Sequence, residues 1–121
     1  MNLNQITLQV TDVESSIAFY EKLGLRLIVK SLPKYARFEC SGEATFSLHH
    51  SDEVTNGTWI YFECQTLDED VDRLQKAGIV FDEMPLDQPW LWREARLKDP
   101  DGHVLILYRA GENRKNPPWR I

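Results

Sequence analysis

The sequence predicts an α+β fold in which two β-α-β-β-β modules form one open, curved, barrel-like sheet. Its 121 residues suit a single domain, and residues 10–25 and 64–79 follow one pattern at a constant offset of 54 (64 − 10). A strand-like run precedes each copy, and three strand-like runs follow it. We divide the single domain 1–121 into module 1 at about 1–54, module 2 at about 55–110 and an extended C-terminal tail at 111–121.

The first module starts with the strand-like run ITLQV. Its helix is predicted to begin at the capping residue Asp12 and to end at Gly24, which suits a left-handed position. The apolar face of this helix consists of Val13, Ile17, Tyr20 and Leu23. Three strands follow, at Arg26–Val29, Ala36–Cys40 and Thr45–His49, with a hairpin turn at Ser41–Glu43 between the last two.

The second module repeats this order after a polar connector at Ser51–Gly57. The strand-like run IYFEC leads to a helix in which Thr66 and Glu69 form a predicted capping box. The apolar face of this helix is Leu67, Val71, Leu74 and Ala77, and Gly78 ends it. The predicted strands are Val80–Asp82, Trp92–Leu97 and Val104–Tyr108, with the turn Asp99–Gly102 before the last.

Three segments carry a family resemblance: ITLQVTDVESSIAFYEKLGL, IYFECQTLDEDVDRLQKAGI and LKDPDGHVLILY. Together they span about Asn4 to Tyr108, and they resemble the vicinal oxygen chelate (VOC) superfamily. That superfamily includes glyoxalase I, extradiol dioxygenases, and the fosfomycin- and bleomycin-resistance proteins. The resemblance implies the glyoxalase/bleomycin-resistance/dihydroxybiphenyl-dioxygenase fold, a cleft formed by the two modules and, often, a homodimer.

The resemblance also implies a divalent metal, but this sequence departs from the family at the ligand positions. In metal-dependent members, His or Glu side chains on strands facing the cleft hold a metal that chelates two neighbouring substrate oxygens. The corresponding positions are Gln5, Ser47, Trp59 and Ile106. None of these side chains is a good metal ligand, and an indole or an alkyl group cannot bind a metal at all. We therefore expect neither a metal nor another cofactor.

Strand alternation predicts which side chains face the cleft. If Gln5 faces it, every second residue of each strand does the same. The predicted ligand-binding residues are Gln5, Thr7, Ser47, His49, Trp59, Tyr61, Trp92, Arg96 and Tyr108. This aromatic surface with few polar groups suits a flat, partly apolar organic ligand. Packing of Trp59 and Trp92 in the cleft or in a dimer interface is an equal alternative.

Two cleft side chains are candidates for acid–base catalysis, His49 and Glu94. For His49 the alternative is a hydrogen-bonded surface histidine. For Glu94 it is an ion pair with Arg93 or Arg96. A rearranged metal site that uses His49, Glu94 and Gln5 is a further alternative.

Charge and composition limit the partners. The net charge of −5 disfavours nucleic acid and anionic lipid, and no apolar run approaches the ~20 residues of a membrane helix. The N-terminus does not resemble a signal peptide, and Cys40 and Cys64 form no CxxC motif. We therefore expect a cytoplasmic protein whose partner is a small molecule, and the family resemblance implies a homodimer.

Three functions remain open. The first is metal-independent binding of a small aromatic or cationic ligand, as in the bleomycin-resistance branch; the net charge mildly favours a cation. The second is a lyase, isomerase or dioxygenase of the same superfamily with a displaced metal or acid–base site. The third is a structural or regulatory dimer without a ligand.

Truncation at Gly111 tests the role of the tail, whose segment Asn116–Arg120 contains Trp119. We expect the tail to pack across the cleft mouth or the partner subunit, with this tryptophan as an anchor. The truncated chain should therefore lose ligand affinity or dimerise more weakly, as measured by titration and sedimentation. Unchanged affinity together with unchanged dimerisation would show that the tail has neither role.

Overall fold

The structure is a computed structural model that describes residues 1–22, 24–53, 57–98 and 103–121. The predicted helix position Leu23, part of the connector (54–56) and the turn Asp99–Gly102 lie outside the described residues. In chain order the elements are β1 (Asn2–Val10), α1 (Val13–Lys22), β2 (Arg26–Ser31), β3 (Tyr35–Glu39), β4 (Thr45–His50), β5 (Thr58–Glu63), α2 (Leu67–Lys76), β6 (Glu83–Asp87), β7 (Arg93–Lys98) and β8 (Val104–Arg109). Neither α1 nor α2, at ten residues each, is long enough to cross a bilayer.

The strands form one eight-stranded sheet in the order β2-β3-β4-β1-β5-β8-β7-β6. Within each module the first strand pairs in parallel with the last, β1 with β4 and β5 with β8. The antiparallel pair β1–β5 then joins the two modules within one chain. The predicted α+β fold with its open, curved sheet is confirmed.

Both helices pack on the same face of the sheet. From α1, Val13 and Ile17 pack against a cluster that includes Phe38. From α2, Leu67 and Val71 pack in a second cluster, whose sheet residues are Cys64, Ala95 and Leu107. The opposite, concave face carries a separate cluster: Tyr61, Trp92, Ile106, Tyr108 and Ala110. Alternation along the strands thus separates the helix-covered core from an aromatic concave face.

The helix ends agree in part with those predicted from the sequence. Asp12 caps α1, because its carboxylate accepts the backbone N–H of Ser15 at 3.1 Å. Gly24 has the positive φ predicted for it, at 102°. The capping box predicted at Thr66 was wrong: its side chain makes no bond to the helix backbone, and its hydroxyl instead donates to the Asp70 carboxylate at 3.2 Å.

The strand predicted at Val80–Asp82 was also wrong. Val80 is 81% exposed, and the strand that pairs with β7 is Glu83–Asp87. This strand contains Pro85, which lacks a backbone N–H. Because β6 is the outermost strand of the sheet, one of its sides needs no ladder hydrogen bonds, and a proline is tolerated there.

The tail is folded rather than extended, contrary to the prediction. It starts with a 3-10 turn at Gly111–Asn113, and Arg114 then donates to the backbone carbonyls of Asn4 and Glu43. At its end, Arg120 pairs with the Glu39 carboxylate at 3.0 Å. Local turns and ion pairs to the sheet therefore replace the extended conformation that the two prolines suggested.

Gly78→Ala tests the left-handed end of α2. Gly78 has φ 98°, and an added Cβ there would meet no heavy atom within 4 Å, so the cost arises from the backbone alone. We expect a loss of about 1–2 kcal/mol in the free energy of unfolding, measured in urea. Gly42→Ala is the matched control, because its φ lies outside the left-handed range and its Cβ also meets nothing. Equal stability of the two variants would contradict the assignment.

Candidate functional site

The concave face encloses a cavity of about 520 Å³. This volume lies in the usual range for small-molecule sites, about 300–1,000 Å³. Strands from both modules contribute to its wall, together with the loop before β7 and the C-terminal tail. Its aromatic lining residues are Tyr35, Trp59, Tyr61, Trp90, Trp92 and Trp119, so all four tryptophans of the chain face one cavity.

The structure brings most of the predicted ligand-binding residues to this cavity. Those that line it are Thr7, His49, Trp59, Tyr61, Trp92 and Arg96. Gln5, Ser47 and Tyr108 face the same side of the sheet but do not line the cavity, because they are buried beneath it. The Tyr108 ring packs at 4.8 Å from the Trp92 ring, and its hydroxyl donates to Asn4 Oδ1. These three residues therefore support the cavity from below.

A chain of hydrogen bonds links the polar residues under the cavity. Gln5 Nε2 donates to Thr7 Oγ1 at 3.0 Å and to Ser47 Oγ at 2.9 Å. Ser47 Oγ lies 2.6 Å from the hydroxyl of Tyr35, which accepts a bond from Arg37 Nε at 2.9 Å. The chain therefore runs from β1 through β4 to β3 and fixes the side chain of Arg37.

The residues at the implied metal positions do not fit a divalent metal. Gln5 Oε1 accepts a hydrogen bond from Thr45, and Ser47 Oγ is shared between Gln5 and Tyr35. The side chains of Trp59 and Ile106 have no atom that could coordinate a metal. Across the described ranges, no group of three or more His, Cys, Asp or Glu side chains could hold a metal ion. At Gln5 and Ser47, hydrogen bonds therefore use the polar atoms that a metal would need.

His49 is a surface residue at the cavity rim. Its Nδ1 lies 3.0 Å from the backbone carbonyl of His50, and its ring lies 5.5 Å from the Trp59 ring. These contacts match the hydrogen-bonded surface histidine of the sequence analysis. They also place the imidazole against one wall of the cavity.

Glu94 lies behind the cavity wall. It is 3% exposed, its Oε2 accepts the indole N–H of Trp90 at 2.7 Å, and its Oε1 has no partner among the described residues. Burial raises the pKa of this carboxyl, although the Trp90 bond acts in the opposite direction. The structure does not show the ion pair considered for it: Arg93 binds Asp68 and Asp87, and Arg96 Nε lies 3.6 Å from Glu83.

Part of the lining was not predicted from the sequence. The residues that were not predicted are Val29, Lys30, Ser31, Lys34, Tyr35, Arg37, Pro89 and Trp90, whereas Trp119, which was expected at the cleft mouth or the partner subunit, lines the cavity. Alternation along β3 could have found Tyr35 and Arg37, because Ala36 and Phe38, which alternate with them, belong to the core. Only the tertiary structure brings Pro89 and Trp90, from the loop before β7, to the same cavity.

The charge of the lining is opposite to that of the whole chain. Lys30, Lys34, Arg37 and Arg96 line the cavity, and none of its described lining residues is Asp or Glu. The preference for a cationic ligand, inferred from the net charge of −5, is therefore not supported at the site.

Two repeated modules and the cavity on their shared concave face define the class of glyoxalase-like α+β domains. The chain belongs to the Glyoxalase/Bleomycin resistance protein/Dioxygenase superfamily, whose family model matches residues 2–107. No curated protein matches the sequence at a significant level.

Several solved structures share the fold. A superfamily member from Vibrio splendidus 12B01 is 13% identical, with a TM-score of 0.70 over 86% of this chain and 95% of that chain. A structure described as an NAD-dependent benzaldehyde dehydrogenase from Legionella pneumophila is 20% identical, with a TM-score of 0.70 over 88% of this chain and 98% of that chain. A hypothetical protein from Bacillus halodurans C-125 is 18% identical, with a TM-score of 0.70 over 89% of this chain and 93% of that chain. At these identities the similarity shows the fold alone.

Glu94→Gln tests the buried carboxyl. The pKa of Glu94 is higher in the folded protein than in the unfolded chain. The contribution of Glu94 to stability is therefore complete below its pKa in the unfolded chain and is lost as pH rises through its pKa in the folded protein. Glutamine cannot ionise, yet its amide oxygen can still accept the Trp90 N–H. We expect the melting temperature of the variant to exceed that of the wild type by a few degrees at pH 7.5 and to match it at pH 4.

Glu53→Gln is the control for this experiment, because Glu53 is exposed and its substitution removes the same charge. A melting temperature that falls at pH 7.5, or a difference that is the same at both pH values, would contradict the raised pKa.

Proposed function

We propose that this protein reversibly binds a small, flat aromatic compound in the concave cavity, without a metal. The observation that carries the proposal is that all four tryptophans and two tyrosines line one cavity of about 520 Å³. A dry cavity of about 150 Å³ suffices to bind benzene, so this space admits a substituted ring system. Aromatic walls favour such a ligand by stacking and by burial of apolar area.

The aromatic walls are held in place by their neighbours. The Arg96 guanidinium lies over the Trp59 ring at 4.9 Å, and Tyr61 meets the Trp92 ring edge-to-face at 5.8 Å. Trp92 also donates its indole N–H to the carbonyl of Asn113, at 3.2 Å. A preorganised wall loses little side-chain entropy on binding, which favours affinity.

Two exposed aromatics lie at the mouth of the cavity. Trp90 is 38% exposed and Trp119 is 42% exposed, although both are large apolar side chains. Exposed aromatic surface beside a cavity is typical of binding sites, because a ligand can cover it. This arrangement favours a ligand-binding protein over a purely structural dimer, for which a sealed cavity would be expected.

The placement of the acid–base candidates favours binding over catalysis. His49 is bonded to a backbone carbonyl at the rim, and the Glu94 carboxylate is bonded to Trp90 behind the wall. A lyase or isomerase needs an acid or base within hydrogen-bond reach of the reacting group. Since Glu94 does not line the cavity, the two side chains do not act on a ligand as a pair.

Trp59→Leu tests this function with 4-nitrobenzamide, a neutral, flat aromatic probe that quenches tryptophan fluorescence. We expect saturable quenching in the wild type and affinity about tenfold weaker in the variant, because one stacking wall is removed. Calorimetry checks the same affinities independently, and prior treatment with EDTA should leave them unchanged.

The matched control is Phe19→Leu, which removes an aromatic ring that is 57% exposed on α1, on the helix-covered side of the sheet. Its affinity should equal that of the wild type. Cyclohexanecarboxamide, which is similar in size but not aromatic, should not compete. Non-saturable quenching, or binding abolished by EDTA, would overturn the proposal.

A further inference from the structure

We infer that the ligand carries an anionic group, of the carboxylate class, and that Arg37 binds it at the cavity wall. This inference rests on the proposed function and adds the charge of the ligand to it. It would make the preferred ligand an aromatic carboxylate or a comparable organic monoanion.

Arg37 is a buried cation whose hydrogen bonds all go to neutral oxygens. The residue is 1% exposed and lines the cavity. Its Nε donates to the Tyr35 hydroxyl at 2.9 Å, and its Nη1 donates to the carbonyls of Asn113 and Arg114 at 3.2 and 3.1 Å. In the part of the chain that the structure describes, Nη2 has no hydrogen-bond partner, and no carboxylate forms an ion pair with the guanidinium.

Such a group is costly to the folded protein without a counterion. An arginine side chain does not lose its proton in proteins, so burial cannot be relieved by neutralisation. The Trp92 ring, 4.5 Å from the guanidinium carbon, and the three neutral acceptors offset only part of the desolvation cost. An anion in the cavity would complete the hydrogen bonding of Arg37 with a charge-assisted bond, which is stronger than a bond to a neutral group.

The surroundings of Arg37 add to its positive potential. Lys30 and Lys34 lie exposed at the cavity mouth, and Arg96 lies across the cavity on Trp59. Glu94, the buried acid next to the wall, does not line the cavity, and burial favours its neutral form. Cationic walls without a lining carboxylate attract an anion and disfavour a cation.

The arrangement also sets the orientation of the ligand. The guanidinium lies against the face of Trp92, in the wall that also contains Tyr35. A carboxylate bound to Nη2 would therefore project its ring along the indole faces. Aromatic binding and anion binding then use different atoms of one cavity, so each can be removed separately.

A purely structural role for Arg37 is the competing account, because its bonds to Asn113 and Arg114 also hold the tail. Loss of that role would weaken folding and would lower the affinity for every ligand alike. An anion-binding role instead changes the preference between probes of equal shape. The experiment therefore measures a ratio of affinities rather than one affinity.

The test compares 4-nitrobenzoate, 4-nitrobenzamide and 4-nitrobenzylamine, which share one ring and differ in charge. In the wild type we expect the benzoate to bind about tenfold to a hundredfold more tightly than the amide, and the amine to bind most weakly. Arg37→Met should abolish the preference of the benzoate over the amide, whereas Arg37→Lys should keep part of it. Fluorescence titration and calorimetry give the affinities, and thermal unfolding shows that each variant is folded.

Lys76→Gln is the charge control, because Lys76 is exposed on α2, away from the cavity, and pairs with Asp72. Lys76→Gln removes one positive charge, and so does Arg37→Met. Lys76→Gln should nevertheless leave the preference for the benzoate intact. If Arg37→Met does not fold, Arg37→Lys and the wild-type probe ratio still decide the question.

The outcomes separate the two proposals. Equal binding of benzoate and amide to the wild type would overturn the anionic ligand and leave the aromatic site standing. A preference that persists in Arg37→Met would overturn the role of Arg37. Failure of all three probes to bind saturably would overturn the aromatic site, and the present inference with it.

Discussion

The antiparallel pairing of β1 with β5 is the contact on which the rest of the structure depends. It joins the two modules into one sheet, and its register sets Gln5 opposite Tyr61 and Thr7 opposite Trp59. β4 and β8 flank this pair on either side, in parallel. The centre of the concave face is therefore built from four strands whose side chains alternate between the helices and the cavity. A shift of one residue in this register would exchange the two faces.

At this centre a hydrogen-bonded chain links Gln5 and Ser47, two of the positions to which the family resemblance assigns metal ligands. Gln5 and Ser47 use their polar atoms on each other, on Thr45 and on Tyr35, and the chain ends at Arg37. Buried polar groups are stable only when such partners satisfy them. The polar centre of the fold thus holds the guanidinium of Arg37 in a fixed orientation.

Much of the fold could be predicted from the sequence, because local patterns determine it. The repeat at a constant offset, the cap at Asp12 and the glycines that end both helices are short-range signals. The errors share a different cause. The position of β6 depends on its pairing with β7, and the folded tail depends on contacts of Arg114 with distant backbone. Neither contact has a signature in the neighbouring residues.

The sequence by itself determined the two modules, the faces of β1, β4, β5, β7 and β8, and the residue types at the positions to which the resemblance assigns metal ligands, because periodicity and residue chemistry are local properties. The depth of Gln5, Ser47 and Tyr108 and the charge of the cavity were decided only by the tertiary structure. Net charge is a sum over the whole chain, whereas the field in a cavity depends on which side chains its walls bring together. A chain with net charge −5 thus lines its cavity with cations, because β2, β3, β7 and the loop after β2 bring lysines and arginines to it, while none of the described lining residues is Asp or Glu.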